Sequence, residues 1–446
     1  MPFFYNSFSK LLVPDNLNTP SFPNKFDLTM GLKNPNLEDF CIILGKDIGL
    51  RDKRQFKTLT LLLCNLYISG NKQVMVSRKN TPSQGKKYNP FNIGASSIRR
   101  SLDLLETNGY IIQIIGKYEE NKRTTMQSTN KLSKWFESKD WSEKDIEFKV
   151  GSYITLRRSK KNHNKPSYID FKDTEYSLWL SEELKKYNQL LSKSDISILS
   201  EDGSEEAPIR KSIVRRAFIR HKVKDDIKNM EFAFGGRMYG PWIDFSEEDR
   251  KRILINGEST IELDRTASHL NAMYQVITEN PCSDKDPYVL YAEGHLVPRQ
   301  IAKNFCSFMQ GSSSPRGTAQ RVINNYKHKA LEEDNPKPKD IAKYEEYLAF
   351  KKNVKPTAIV QAILMRHSKV SDKYMKGKVF GDLIGCWESD LVFEVIIELT
   401  KRGIPCLTVY DSFIVPLKYK KLVDSIKDST PYINRRSITL IDNYRR

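Results

Sequence analysis

Cysteine is scarce in this 446-residue chain, and no two of its six cysteines form a Cys-x-x-Cys pair. Cys41, Cys64, Cys282, Cys306, Cys386 and Cys406 are scattered, which argues against a zinc ribbon and against a disulfide framework. They read instead as reduced core residues of a cytosolic protein. Long apolar runs are missing too. No stretch approaches the roughly 20 apolar residues of a membrane span, so no membrane partner is expected. The opening MPFFYNSFSKLLVPDN is too polar for a signal peptide. Its early Pro and Asp disfavour a transit peptide while leaving an organellar address open. Acidic residues are in deficit: 73 Lys and Arg stand against 55 Asp and Glu, a net charge of +18. At this size such an excess points to a polyanionic partner, nucleic acid above all. The bland alternative is a lysine- and asparagine-rich composition with no such partner.

The length allows two or three domains. Residues 1–50 are rich in Pro and Asn and read as a loosely structured arm. Gln55–Gly70 reads as a buried helix stopped by Gly70. Ala95–Gly109 reads as a second helix, with Ser96 or Ser97 as its cap, Ile98, Leu102 and Leu105 at helical spacing, and Asn108-Gly109 as its stop. Tyr110–Ile115 then reads as a strand, Gly116–Thr125 as a basic hairpin tip and Met126–Leu132 as the return. Two helices followed by a basic two-stranded wing give the order of a winged helix-turn-helix over residues 51–145. Such a module puts its second helix in the major groove and its wing on phosphate. Arg99 and Arg100 on the helix and Lys122 and Arg123 at the wing tip are the candidate nucleic-acid contacts; scaffolding without such contacts is the alternative. Residues 146–230 read as a basic, mostly helical connector. Arg157, Arg158, Lys160, Lys161 and Lys165 form one cluster. Lys211, Arg215, Arg216, Arg220, Lys222 and Lys224 form another, with Arg216 and Arg220 on one helix face. Ser200–Glu206 reads as an exposed acidic loop.

Three segments after residue 231 carry chemistry. Ser259–Asp264 (STIELD) reads as a strand that turns into a helix over TASHLNAMY, leaving Asp264 at the strand end. Leu407–Val415 (LTVYDSFIV) reads as a hairpin with Asp411 at its tip. Arg299 and Lys303 are four apart on a helix running toward Gly311, so both cations share a face. Two aspartates on neighbouring strands suit magnesium, which takes oxygen ligands and only one or two carboxylates besides substrate phosphates. Nucleotidyl transfer places two such ions roughly 3.5–4 Å apart across the attacking and leaving oxygens. Aligned cations such as Arg299 and Lys303 suit the incoming triphosphate.

These three segments resemble motifs A, B and C of the superfamily of family-A DNA polymerases and single-subunit RNA polymerases of phage and mitochondrial type. Phe234–Gly240 (FGGRMYG) is similar to the Gly-Arg segment upstream of motif A, where the Arg contacts nucleic acid. Trp387-Glu388-Ser389-Asp390 lies on the helix before motif C, and its acids read as surface or supporting groups. The resemblance spans about Phe234 to Pro416. Tyr410-Asp411-Ser412-Phe413 is nearer the RNA polymerase form, His-Asp-Ser-Phe, than the DNA polymerase form, His-Asp-Glu. The pattern departs at three positions. Tyr410 replaces His, Gly311 stands where motif B has a tyrosine, and His269 stands where DNA polymerases place a ribose-excluding Glu. These positions govern sugar choice and base-pair checking, so ribo- or deoxynucleotide stays open.

The resemblance implies an α+β, right-hand fold with a palm over 231–446, a small fingers insertion at about 285–375 and a thumb-like connector. It implies Mg2+ or Mn2+ held by Asp264 and Asp411. Triphosphate would be held by Arg299 and Lys303, with His269 near the sugar and Arg237 on nucleic acid. The expected activity is a DNA-directed RNA polymerase or primase-like polymerase, or a DNA polymerase, acting on NTPs or dNTPs with an RNA product or primer. The alternative is a winged-helix replication initiator or regulator with an inactive palm; template-independent tailing is a third reading.

Overall fold

A computed structural model describes residues 24–70, 72–78, 87–116, 124–158, 168–209, 213–221, 232–333, 336–431 and 433. Lys122 and Arg123 lie outside the described residues, as do Lys160, Lys161, Lys165, Lys211, Lys222 and Lys224. The chain is mixed α+β and packs around three hydrophobic cores. No helix among the described residues is long and apolar enough to cross a membrane.

The first core belongs to an N-terminal unit. It begins with β1 (Asn24–Lys25), β2 (Met30–Leu32) and α1 (Pro35–Asp47). The expected loose arm is therefore ordered from residue 24. Asn34 caps α1, Pro35 opens it, and Leu37, Cys41 and Leu44 recur on one buried face. Next come α2 (Lys53–Ser69), β3 (Val74–Met75), α3 (Ala95–Thr107), β4 (Ile111–Ile114), β5 (Thr125–Ser128), α4 (Asn130–Glu137) and β6 (Ile146–Phe148). Asp52 caps α2 with its side chain, and Gly70 ends it at φ 55°. Neither Ser96 nor Ser97 caps α3. Its N-cap is Gly94, while Ser97 turns inward and hydrogen-bonds Thr58 at 2.7 Å. Strands pair in the order β1-β3-β5-β4, so the β4–β5 hairpin follows directly on α3.

The second core surrounds the main sheets. Its elements are β7 (Ile154–Arg158), α5 (Glu175–Lys193), β8 (Ile196–Leu199), β9 (Glu206–Pro208), β10 (Arg215–Arg220), β11 (Gly235–Tyr239), the one-turn α6 (Glu247–Lys251), β12 (Ile253–Ile255) and β13 (Glu258–Asp264). With β6, five strands among the described residues thus occupy the stretch read as a mostly helical connector. Burial in β10 alternates at the strand period, as in Arg216-Ala217-Phe218 with 216 and 218 buried. The third core is helical: α7 (Ser268–Thr278), the hairpin β14 (Tyr291–Ala292) and β15 (His295–Leu296), α8 (Arg299–Gln310), α9 (Pro315–Lys327), α10 (Pro338–Lys351) and α11 (Pro356–Arg366). The chain then returns through α12 (Lys378–Lys401), β16 (Leu407–Val409), β17 (Ser412–Pro416) and α13 (Lys420–Ser429). The six-stranded sheet runs β16-β17-β13-β12-β8-β9, and a three-stranded sheet runs β11-β10-β7.

Helix α12 joins the second and third cores. Phe380, Leu383, Ile384, Trp387 and Leu391 enter the helical core, while Cys386, Val392, Phe393, Val395 and Ile396 enter the sheet core. A helix buried all round has no solvated face for its charges, so those charges must be paired. Asp390 meets Arg216 Nη2 at 3.0 Å. Arg216 is therefore not an exposed phosphate contact but a buried cation, 1% exposed. Its Nε donates to the Gly236 carbonyl at 2.7 Å and its Nη2 to Ser389 Oγ at 3.0 Å. Gly236 is required here: at φ 80° an added Cβ would meet Arg216 Nη2 and Phe218 Cε1, each at 2.9 Å. Removing one partner of a buried pair strands the other charge, at roughly 3–5 kcal/mol. Asp390→Ala should lower stability by that order in urea denaturation; an unchanged midpoint would show that the pair does not hold α12 to β10 and β11.

Candidate functional site

The register of β13 against β17 decides where the two aspartates fall. The strands run antiparallel with Thr260 opposite Pro416, Glu262 opposite Ile414 and Asp264 opposite Ser412. Ile261 and Leu263 point into the sheet core, so period-2 alternation turns Asp264 to the other face, exposed at the strand end. β16 and β17 pair so tightly that only Tyr410 and Asp411 form the turn, with Tyr410 at φ 56°. Asp411 thereby stands one residue from the Cα partner of Asp264. Ser412 Oγ donates to Asp264 Oδ1, and Lys427 on α13 donates to the Asp264 backbone carbonyl at 2.9 Å and to Asp424 at 3.0 Å.

A third carboxylate completes the group. Glu388, on α12, is 1% exposed and is held from two sides. Arg237 Nη2 meets its Oε2 at 3.1 Å, and His269 Nδ1 meets its Oε1 at 2.6 Å. Burial alone would raise the Glu388 pKa, but His269 and Arg237 outweigh it and the carboxyl is held below its usual range. The Arg237 guanidinium also lies 5.0 Å from the centre of the Tyr410 ring. Burial opposes its charge, yet the Glu388 partner keeps its pKa raised. Asp411 has no such partner among the described residues. Burial, then Glu388, then Asp264 push its carboxyl up to about 6, with His269 opposing. Arg265, next to Asp264, is largely buried, and burial lowers its pKa against the pull of Asp428, Glu388 and Asp411. Its Nη1 has no hydrogen-bond partner among the described residues.

Of the residues singled out in the sequence, Asp264, Asp411, Arg237 and His269 converge through Glu388. Arg299 opens α8, 55% exposed, with Nε 2.8 Å from Asp286 Oδ2 and its guanidinium 5.4 Å from the Tyr288 ring centre. Burial raises the Tyr288 hydroxyl pKa, and the charges of both Arg299 and Asp411 act on it. Lys303, one turn on, is exposed and makes no ion pair among the described residues. Gly311 ends α8, where the chain packs against α12: a Cβ on Gly381 would meet the Gly311 Cα at 3.1 Å. Arg99 and Arg100 are exposed on α3, in the N-terminal unit and away from this group in sequence and core. Sequence reasoning undervalued Glu388 and Asp390 and passed over Arg265 and Lys427. The available signal for the acids was a charge inside an all-apolar helix, which has to be paired.

Comparison with protein-family models, with curated proteins and with solved structures returned no match. The site therefore rests on its own geometry.

That geometry has a pH signature. Asp411 has its folded pKa raised from 3.8 to about 6. The folded state therefore binds its proton more tightly than the unfolded state. The stabilisation is fully present below 3.8 and is lost as pH rises through about 6. Asp411→Asn should thus stabilise the metal-free protein at pH 7.5 by ~1–3 kcal/mol, with little gain at low pH. Thermal melts of both proteins across that range check this; equal gains at both ends would exclude carboxylate repulsion as the cause.

Proposed function

We propose that the chain is a template-directed nucleotidyltransferase whose metal-binding carboxylates are Asp264 and Asp411. The observation that carries this reading is the β13–β17 register, which sets the two carboxylates side by side, with the Asp411 carboxyl raised by burial, by Glu388 and by Asp264. Lys427 does not counter this, since its ammonium is spent on a backbone carbonyl and on Asp424. Two neighbouring acid groups short of a counter-charge fit Mg2+ or Mn2+, hard cations that take oxygen ligands. When bound, such a pair supplies stabilisation of the attacking and leaving oxygens at phosphorus.

The remaining residues take roles that follow from their positions. Arg237, fixed by Glu388 and backed by Tyr410, presents a pre-set cation to the primer or template backbone beside the reacting phosphate. His269 is pinned by Glu388 at the start of α7, where it borders the nucleotide. Arg299 and Lys303 line one face of α8 and offer charge to the triphosphate; Arg299 exchanges Asp286 for phosphate as nucleotide arrives. In this reading β12, β13, β16, β17 and α12 are a palm, α8–α11 are fingers, and α3 with the β4–β5 hairpin is a winged helix presenting Arg99 and Arg100 to a DNA template. The substrates are NTPs or dNTPs.

Primer extension on a single-stranded template with labelled NTPs and dNTPs tests the reading. Wild-type protein should incorporate label only with Mg2+ or Mn2+. Asp264→Asn and Asp411→Asn should each lose about 100- to 1,000-fold. Tight DNA binding without incorporation by the wild type would instead favour a DNA-binding regulator with an inactive site. Full incorporation by Asp411→Asn would displace the site. Lys303→Ala should raise the nucleotide KM with a smaller effect on kcat, which steady-state kinetics resolves. Arg99→Ala with Arg100→Ala should lower DNA affinity and reduce the slope of log K against log salt by about 2, roughly 1 per lost phosphate contact.

A further inference from the structure

The segment between α7 and α8 carries a second polar cluster, distinct from the carboxylates above. Cys282, Asp284 and His367 each bring one ligating atom to within 4.8 Å of the other two. Each donor comes from a fixed piece of backbone. The Cys282 amide donates to Asn271 Oδ1 on α7 at 3.0 Å. His367 caps the end of α11, its amide bonded to the Ile363 carbonyl at 2.9 Å. Asp284 stands two residues after Cys282, with Arg366 Nη2 3.2 Å from its Oδ2.

We infer that Cys282, Asp284 and His367 form a zinc site that clamps the 279–287 segment to the end of α11. The donor set selects the metal class. A thiolate and an imidazole favour zinc and disfavour the hard, all-oxygen cations expected at Asp264 and Asp411. The second observation is the setting of His367. It is fully buried, and its Nε2 lies 3.0 Å from the Pro287 carbonyl oxygen. That contact fixes the proton on Nε2 and leaves the Nδ1 lone pair turned toward the cluster, where, among the described residues, the Tyr274 hydroxyl meets it at 3.2 Å. A histidine that donates its distal N–H to a backbone carbonyl is the arrangement metal-bound imidazoles adopt. Arg366 takes one Asp284 oxygen and leaves the carboxylate able to bind through the other. Tetrahedral zinc would draw the three donors to roughly 3.3–3.8 Å apart, a side-chain adjustment, and leave the half-exposed side of the cluster for a water.

The clamp has a structural consequence. The same segment carries Asp286 and leads into Tyr288, which together hold Arg299. Fixing residues 282 and 284 fixes the approach to α8.

Metal analysis tests this without reference to activity. The full-length, tag-free chain, grown with added zinc and purified without chelator, should retain about one zinc by plasma mass spectrometry, a stoichiometry set by a single group of three protein ligands. Cobalt(II) substitution should give the intense near-ultraviolet band of a thiolate-to-cobalt transition. Cys282→Ser and Cys282→Ala should lose both zinc and band while keeping the wild-type circular dichroism. A chelator should lower the melting temperature of the wild type and not of Cys282→Ala. A wild-type chain that carries no zinc and gives no cobalt–thiolate band overturns the site; so does a Cys282→Ala chain that is folded and equally zinc-loaded. His367→Gln provides a second arm, because it keeps a donor for Pro287 while removing the ligand.

Discussion

Buried acid on α12 is the constraint around which the molecule is arranged. A helix surrounded by two hydrophobic cores cannot leave Glu388 and Asp390 unpaired, since a carboxylate moved out of water costs several kcal/mol unless compensated. Compensation comes from three separate elements. Arg216 reaches in from β10, Arg237 from β11 and His269 from α7. These pairings fix the rotation of α12 and the seating of the small sheet and α7 against it. The site is thus assembled by the same charges that hold the cores together.

Pairing is deliberately uneven across the site. Glu388 is ion-paired with a guanidinium and an imidazole and keeps its negative charge. Asp411 is buried within the field of Glu388 and Asp264 with no ion-pair partner among the described residues, and its proton affinity rises. Arg265 is the counterpart, a cation deprived of water with one nitrogen left without a partner among the described residues. Groups held away from their preferred ionisation mark places where a charged ligand lowers the free energy. Here those groups are Asp411, raised by burial and the neighbouring carboxylates, and Arg265, lowered by burial.

Strand and helix periodicity made much of the local structure legible. The β13-to-α7 turn at Asp264 and the hairpin around Asp411 follow from apolar alternation interrupted at a single polar point. The two N-terminal helices with their Gly stops follow from 3.6-residue spacing. The stretch from 146 to 230 misled because its basic residues suggested exposed helix faces. Arg216 shows why: its neighbours Val214 and Phe218 are apolar at strand spacing, but a charge at 216 hides the pattern unless a buried partner is already known, and Asp390 lies 174 residues away.

The sequence by itself determined the local turns that expose Asp264 and Asp411, the charge excess that favours a polyanion, and the cation pair on α8. Those depend on neighbours a few residues apart. Only tertiary structure decided that the two aspartates are adjacent, that Glu388 is the buried anchor between Arg237 and His269, and that Cys282, Asp284 and His367 meet. Each of those depends on strand register or helix rotation across more than 80 residues of chain, with the one exception of Cys282 and Asp284. Register and rotation are set by which faces can be buried together, and no local pattern contains that information.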